Sequence, residues 1–280
     1  MRLLFLAVAV LATSLSAPVG AHAADEEFPV YTGDQFKALY DHAVEEVLPN
    51  LASPGEPGPV TGNADLDARI WDLAFDRGYV LRPVAAGPVG SADGVRMQPQ
   101  AAAAWVELKA AARLAGYQFV VSSAYRSPAS QRTQFLSKLN GTSDRAIDAT
   151  LTWYSLPGTS KHHSGYALDF RYRDGTFGEF RSTPDYAWLA ADNFAIPKSF
   201  GFIPSYPDDV EEQGPNPEPW EFVWVGTDLI ACGVPAEMPG RLSGPAAAIA
   251  EEVSLCPGSN AAEGVTAIPL WLTRLSLVFE

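Results

Sequence analysis

The chain has 280 residues, 47% of them hydrophobic and 11% aromatic, with 33 acidic against 19 basic residues for a net charge of −14. That length holds one domain of ordinary size with extensions, and the apolar content suffices for its core. So strong an excess of negative charge repels nucleic acid and excludes it as a partner.

Arg2, the apolar run from Leu3 to Leu11 and the A-x-A site Ala21-His22-Ala23 read as a secretory leader. Residues 1–23 are therefore expected to be removed, leaving a chain exported to the periplasm or the cell exterior. The apolar run is too short to cross a bilayer and no other segment is longer, so no membrane span is expected. Residues 32–48 predict an amphipathic helix. Thr32 and Gln35 form a capping box, and Phe36, Leu39, Tyr40, Ala43, Val44 and Val47 recur at helical spacing. His42 falls off that stripe and is expected to be exposed. Ser53 to Gly62 is rich in Pro and Gly and reads as a linker. Residues 24–62 thus form an N-terminal helix and linker, with the main domain over 63–226.

Within that domain, Asp65 to Phe75 predicts a helix, and Tyr79-Val80-Leu81 is a short apolar run. Pro99 opens a helix through Ala115 with Trp105, Leu108, Ala112 and Leu114 as core. Gln118 to Ser122 predicts a strand. Ser127 caps the next helix, with Pro128 at its first position. Asp144 to Tyr154 predicts a helix, and Tyr166 to Tyr172 a strand with Ala167, Asp169 and Arg171 on one face. Thr183-Pro184 opens a helix through Phe194, and Trp220 to Val225 predicts a strand whose alternating Trp220, Phe222 and Trp224 pack into the core. Helices around a small antiparallel sheet make the fold class α+β. Residues 227–280 form a C-terminal extension that holds Cys232. Its only possible disulfide partner, Cys256, lies in the same extension, and an oxidising compartment favours the bridge. It would contribute roughly 3 kcal/mol in the loop-entropy account.

The chemistry concentrates in Ser160-Lys161-His162-His163-Ser164-Gly165-Tyr166-Ala167-Leu168-Asp169. Imidazole nitrogen and carboxylate oxygen are the donors a divalent metal needs. The pattern S-x-H-x-x-G-x-A-x-D resembles the metal-binding signature of the VanY-type D-alanyl-D-alanine carboxypeptidases, in the LAS group of zinc peptidases. The resemblance covers roughly residues 64–226 and implies a LAS-peptidase-like fold, a zinc cofactor held by His162 and Asp169, and peptidoglycan peptide stems as partner.

Two further segments carry the resemblance. Ser123-Ala124-Tyr125-Arg126-Ser127, with Gln131 a turn later, is similar to the family's S-G-Y-R-S, with Ala124 in place of Gly. It implies that Arg126 binds substrate and stabilises the oxyanion, with Tyr125, Gln131 and Ser160 as further substrate-binding candidates. A guanidinium suits both tasks because its fork matches a carboxylate or a tetrahedral oxyanion. Glu218-Pro219-Trp220-Glu221 is similar to the family's E-P-W-H. It implies that Glu218 is the general base, on backbone that Pro219 keeps extended.

The family's third ligand is the His of that segment, where this chain has Glu221. Among the four histidines, His22 lies in the leader, His42 on the distant helix, and His163 beside His162, where adjacent side chains usually point apart. Glu221 is the natural substitute, since carboxylates ligate zinc. The site's net charge with a divalent ion then falls from about +1 to about 0, which weakens its Lewis acidity. Two readings remain: an exported metallopeptidase cleaving stem peptides, or a peptidase-fold binding module that has lost catalysis.

Overall fold

The computed structural model describes residues 28–173 and 177–233. The leader, Cys256 and most of the C-terminal extension lie outside the described residues, and the expected Cys232–Cys256 bridge lies there with them.

In chain order the elements are α1 (Gly33–His42), β1 (Leu51–Ala52), α2 (Ala64–Asp76), β2 (Val84–Ala85), β3 (Gly90–Ala92), β4 (Val95–Met97), α3 (Pro99–Leu114) and β5 (Phe119–Ser123). There follow α4 (Pro128–Lys138), α5 (Asp144–Leu151), β6 (Ala167–Tyr172), α6 (Pro184–Ser199), β7 (Phe202–Pro204), β8 (Glu221–Trp224) and α7 (Thr227–Cys232). Helix starts follow local chemistry. The Thr32–Gln35 capping box forms as the sequence predicts, and Asn63, Ser127, Ser143 and Thr183 cap α2, α4, α5 and α6 with their side chains. Proline occupies the first turn of α3, α4 and α6, where its missing N–H costs nothing.

The central sheet is four-stranded and antiparallel, ordered β5-β6-β8-β7, so the α+β class holds. β1 with β2 and β3 with β4 make two small ribbons that the sequence reading misses, as it misses β7. Strand β6 is central. Its residues 167–170 are buried, which is why they read as a nearly continuous apolar run with Asp169 inside it. Period two then divides the sheet. Phe170 points into the core, stacked at 5.2 Å on both Trp105 and Phe222. Asp169 and Arg171 take the opposite face, where a cleft opens.

The main core joins α1, α3, the sheet, α6 and α7. Tyr31, Phe36, Leu39 and Tyr40 of the N-terminal segment belong to it, so residues before the Pro/Gly-rich stretch pack into the same core as the sheet. A second, smaller cluster under α2, α4 and α5 includes Ile70, Trp71, Phe135, Ile147 and Leu151.

Four local expectations are corrected. His42 is buried, because Gln35, Leu39 and His42 share a helix face at i, i+4 and i+7 that also packs inward. Leu114 is exposed, since it lies two positions beyond Ala112 and so on the far side of α3. The helix Asp144–Tyr154 ends at Leu151. Helix α6 runs past Phe194 but is broken at Ala191–Phe194, where three successive residues adopt positive φ. There the Asn193 amide donates to Tyr31 O and accepts from Tyr31 N, which fastens the N-terminal segment to the break.

Gly165 ends the turn that carries His162, at φ +78°, with Gln98 Cγ 3.3 Å from where a Cβ would stand. A side chain there meets both the left-handed backbone penalty and a tight contact. Gly165→Ala is expected to lower unfolding stability by about 1–3 kcal/mol, read from denaturant unfolding; an unchanged midpoint would show that the turn relaxes freely.

Candidate metal centre

The register of the central sheet builds the site. Asp169 on β6 pairs directly with Glu221 on β8 and, on its other side, with Ser123 on β5. Two carboxylates therefore stand opposite one another on one sheet face, an arrangement that repels unless a positive group intervenes. The intervening group is His162. Its Nε2 lies 3.3 Å from Asp169 Oδ1 and 3.2 Å from Glu221 Oε2. All three side chains are buried, and their ligand atoms lie within 4.8 Å of one another.

His162 is set by the short turn Lys161–Ser164, whose start Ser160 caps by accepting from His162 N. Its Nδ1 lies 2.5 Å from Ala124 O. A carbonyl only accepts, so Nδ1 carries the hydrogen and Nε2 faces the carboxylates, as expected of a ligating imidazole. His163 is used up differently. Its Nδ1 donates to Arg126 O, and its Nε2 accepts from Gly158 N. Burial lowers its pKa to about 4, so it stays neutral and ties together the two loops that carry Arg126 and His162.

These residues suit a metal ion. One imidazole nitrogen and two carboxylate oxygens converge, and Asp169 Oδ1 is buried without a hydrogen bond. Burial alone would depress the His162 pKa, but the charges of Asp169 and Glu221 outweigh it and raise the value to about 10. Burial also works against charge on Glu221; His162, Lys161 and Ser205 outweigh it and hold that carboxyl below its usual range.

Around this centre a cleft of about 470 Å³ is lined by Arg126, Gln131, Ser160, Arg171, Tyr206 and Trp220 among others. Arg126 Nη1 donates to Gln131 Oε1 at 2.9 Å and Nη2 to Ser123 Oγ at 3.1 Å. Both partners are neutral, so the guanidinium is aimed without its charge being cancelled. Gln131 is itself fixed by donating to Ser155 O at 2.7 Å. Tyr125 is not among the residues lining the cleft; its ring lies 4.7 Å from the Arg96 guanidinium.

Glu218 precedes β8 in a turn closed by Glu221 N donating to Glu218 O. Its Oε2 accepts from Trp220 Nε1 at 3.0 Å. Burial first, then the charges of Glu221 and Asp169, push its carboxyl well above the usual range. Trp220, expected in the core, packs partly against it but also lines the cleft, because its indole turns to hold Glu218.

The sequence reading passes over Lys161, Ser205 and Tyr206. Lys161 is buried beside His162, with its Nζ 3.8 Å from the Tyr206 ring centre and 4.9 Å from that of Tyr40, donating to Ser205 O. Burial, then the nearby Arg82, lowers its pKa to about 7. A lysine inside a ligand-bearing segment was the available signal. Nothing local in the sequence marks Ser205, whose partner Glu221 is brought to it by the pairing of β7 with β8.

The family model described as D-alanyl-D-alanine carboxypeptidase matches residues 94–227. The chain is 34% identical over 125 residues to a D-alanyl-D-alanine carboxypeptidase of Enterococcus faecalis, covering 42% of this chain and 44% of that one. It thus spans under half the length of that relative. It is 33% identical over 141 residues to the bifunctional D-Ala-D-Ala dipeptidase and D-Ala-D-Ala carboxypeptidase VanXYC of Enterococcus gallinarum, covering 47% of this chain and 68% of that one. Among solved structures it is similar to a variant of the vancomycin-resistance D,D-pentapeptidase VanY in complex with Zn(II), 30% identical with a TM-score of 0.43, over 54% of this chain and 90% of that one.

The raised His162 pKa fixes a pH dependence. Without metal, the charged imidazolium between two carboxylates stabilises the fold fully below the ordinary histidine pKa of 6.5, and that contribution is lost as pH rises through about 10. A metal must displace this proton. Zinc uptake at pH 7.5 is therefore expected to release at least one proton from the site, that of His162, measured by calorimetry in buffers of different ionisation enthalpy. Uptake with no proton release would mean that the His162 imidazole is already uncharged before the metal binds.

Proposed function

The chain belongs to the D-alanyl-D-alanine carboxypeptidase family typified by VanY, and on that premise we propose that it is a metal-dependent peptidase of peptidoglycan stem peptides. The observation that carries this reading is the convergence of His162, Asp169 and Glu221, buried, in the cleft that also holds Arg126. All of these residues, and Glu218, lie inside the matched segment. The leader-like residues 1–23 and the two cysteines fit an exported protein, the setting in which a cell-wall substrate is met.

His162, Asp169 and Glu221 would hold one divalent ion, and zinc suits the nitrogen-and-oxygen donor set. When bound, such an ion supplies Lewis acidity, making water more acidic and polarising the scissile carbonyl. The chain's own residues do the rest. Arg126, held by Gln131 and Ser123, offers an uncancelled positive charge to the peptide's terminal carboxylate or to the oxyanion. Glu218 takes a proton from the attacking water and returns it to the nitrogen of the leaving amino acid as the C–N bond breaks. Burial, and then the charges of Glu221 and Asp169, raise its pKa, which suits that second half; a cation held by those two carboxylates would relieve their share of the shift, which suits the first. The Trp220 indole keeps the carboxylate aimed.

The competing reading, a binding module without catalysis, rests on glutamate at position 221. Against it stands the position of Glu221 itself, facing His162 Nε2 at 3.2 Å instead of leaving the site. The two readings part on Glu218. The zinc-loaded protein is expected to release D-alanine from a peptide ending in D-Ala-D-Ala, and Glu218→Ala to lower kcat by about 10²–10⁴-fold while keeping its zinc. A parent that binds such peptides with zinc present and never cleaves them would support the binding module. A variant that loses zinc along with activity would move Glu218 from base to ligand.

A further inference from the structure

The glutamate at 221 raises a physical difficulty that an imidazole does not. Its side chain has one more rotatable bond, two equivalent oxygens and a full negative charge beside Asp169. Nothing in Glu221 itself selects which oxygen faces the centre or keeps it there. The residues around it do. Ser205 follows β7 and is 3% exposed. Its Oγ donates to Glu221 Oε1 at 2.5 Å, and its backbone N donates to Glu221 O at 3.0 Å. Oε1 is thereby occupied and Oε2 is left toward His162 Nε2. Ser205 O in turn accepts from Lys161 Nζ, and Lys161 is the chain neighbour of His162. The amine is boxed by the rings of Tyr40 and Tyr206, and the Tyr40 ring also carries Arg82, which pairs with Asp41 at 3.0 Å.

We propose that Ser205, braced by Lys161, is the positioning residue that makes a carboxylate serviceable as third ligand, by holding Glu221 Oε1 so that Oε2 alone meets the metal. The proposal rests on the metal-centre reading above. Ser205 touches no substrate and acts only through Glu221. The brace connects His162 and Glu221 through two residues, since Lys161 is linked by the chain to His162 and donates to Ser205, which is hydrogen-bonded to Glu221. The buried Lys161 amine is used in the same brace, since its Nζ donates to Ser205 O. Tyr40 and Asp41 bring α1 into the arrangement, so the N-terminal helix takes part in the support of the site.

The test is a double-mutant cycle on the full chain, read as zinc affinity by competition with a chromophoric chelator. Ser205→Ala is expected to weaken zinc binding about 10- to 100-fold, the usual cost of removing a group that orients a ligand. The same change in the Glu221→His background is expected to leave affinity within about threefold, because the imidazole offers no Oε1 to hold. Ser205→Thr, which keeps the hydroxyl, should bind like the parent. Should Ser205→Ala fail to fold, Ser205→Gly, which likewise removes the hydroxyl and adds no donor, takes its place with the same expectation. Equal losses in the two backgrounds would reduce Ser205 to a general packing role and overturn the proposal. So would a parent that binds zinc and a Ser205→Ala variant that binds it equally well. A parent that binds no zinc overturns the metal-centre reading itself and this proposal with it, an outcome distinct from the other two.

Discussion

The site depends on one cross-strand pair. Antiparallel register sets Asp169 opposite Glu221, two buried carboxylates that cannot share a sheet face without a positive group between them. His162 reaches that position only because the turn before β6 is closed by Gly165 and because Ala124 O fixes the ring through Nδ1. The loops follow from the same demand. His163 ties the Arg126 loop to Gly158, and Arg126 N donates to His162 O, so the cleft-lining Arg126 and the His162 imidazole are placed by one set of backbone contacts. The opposite face supplies rigidity. Phe170 sits between Trp105 and Phe222, and this packed aromatic layer holds the two strands in the register that the carboxylates require.

Much of this was legible in the sequence, for local reasons. Caps at Thr32, Ser127 and Thr183 and prolines at helix starts act over a few residues, so the elements they open could be read directly. The alternation that places Asp169 and Arg171 together follows from strand period alone. Motif likeness singled out His162 and Asp169, elimination among so few histidines singled out Glu221, and the fold brings the three side chains together.

What stayed hidden was non-local. Ser205 gains its meaning only when β7 lies against β8, 16 positions along the chain. Lys161 carries no local sign of burial; the rings of Tyr40 and Tyr206, from distant elements, close over it. His42 was read as exposed because one stripe of α1 looked sufficient, whereas the helix is buried on a broader front. The break in α6 depends on Asn193 finding Tyr31 across 162 positions, a pairing that no local propensity announces. In each case tertiary contact overrode or completed what the local sequence suggested.

The central claim is that a carboxylate from β8 completes a nitrogen-and-oxygen metal centre. X-ray absorption at the zinc edge of the loaded protein tests it most directly. The account predicts one imidazole nitrogen and protein oxygens at about 2.0–2.2 Å with no sulfur, and loss of one oxygen scatterer in Glu221→Ala. A shell with a second imidazole, or one that Glu221→Ala leaves unchanged, would contradict it.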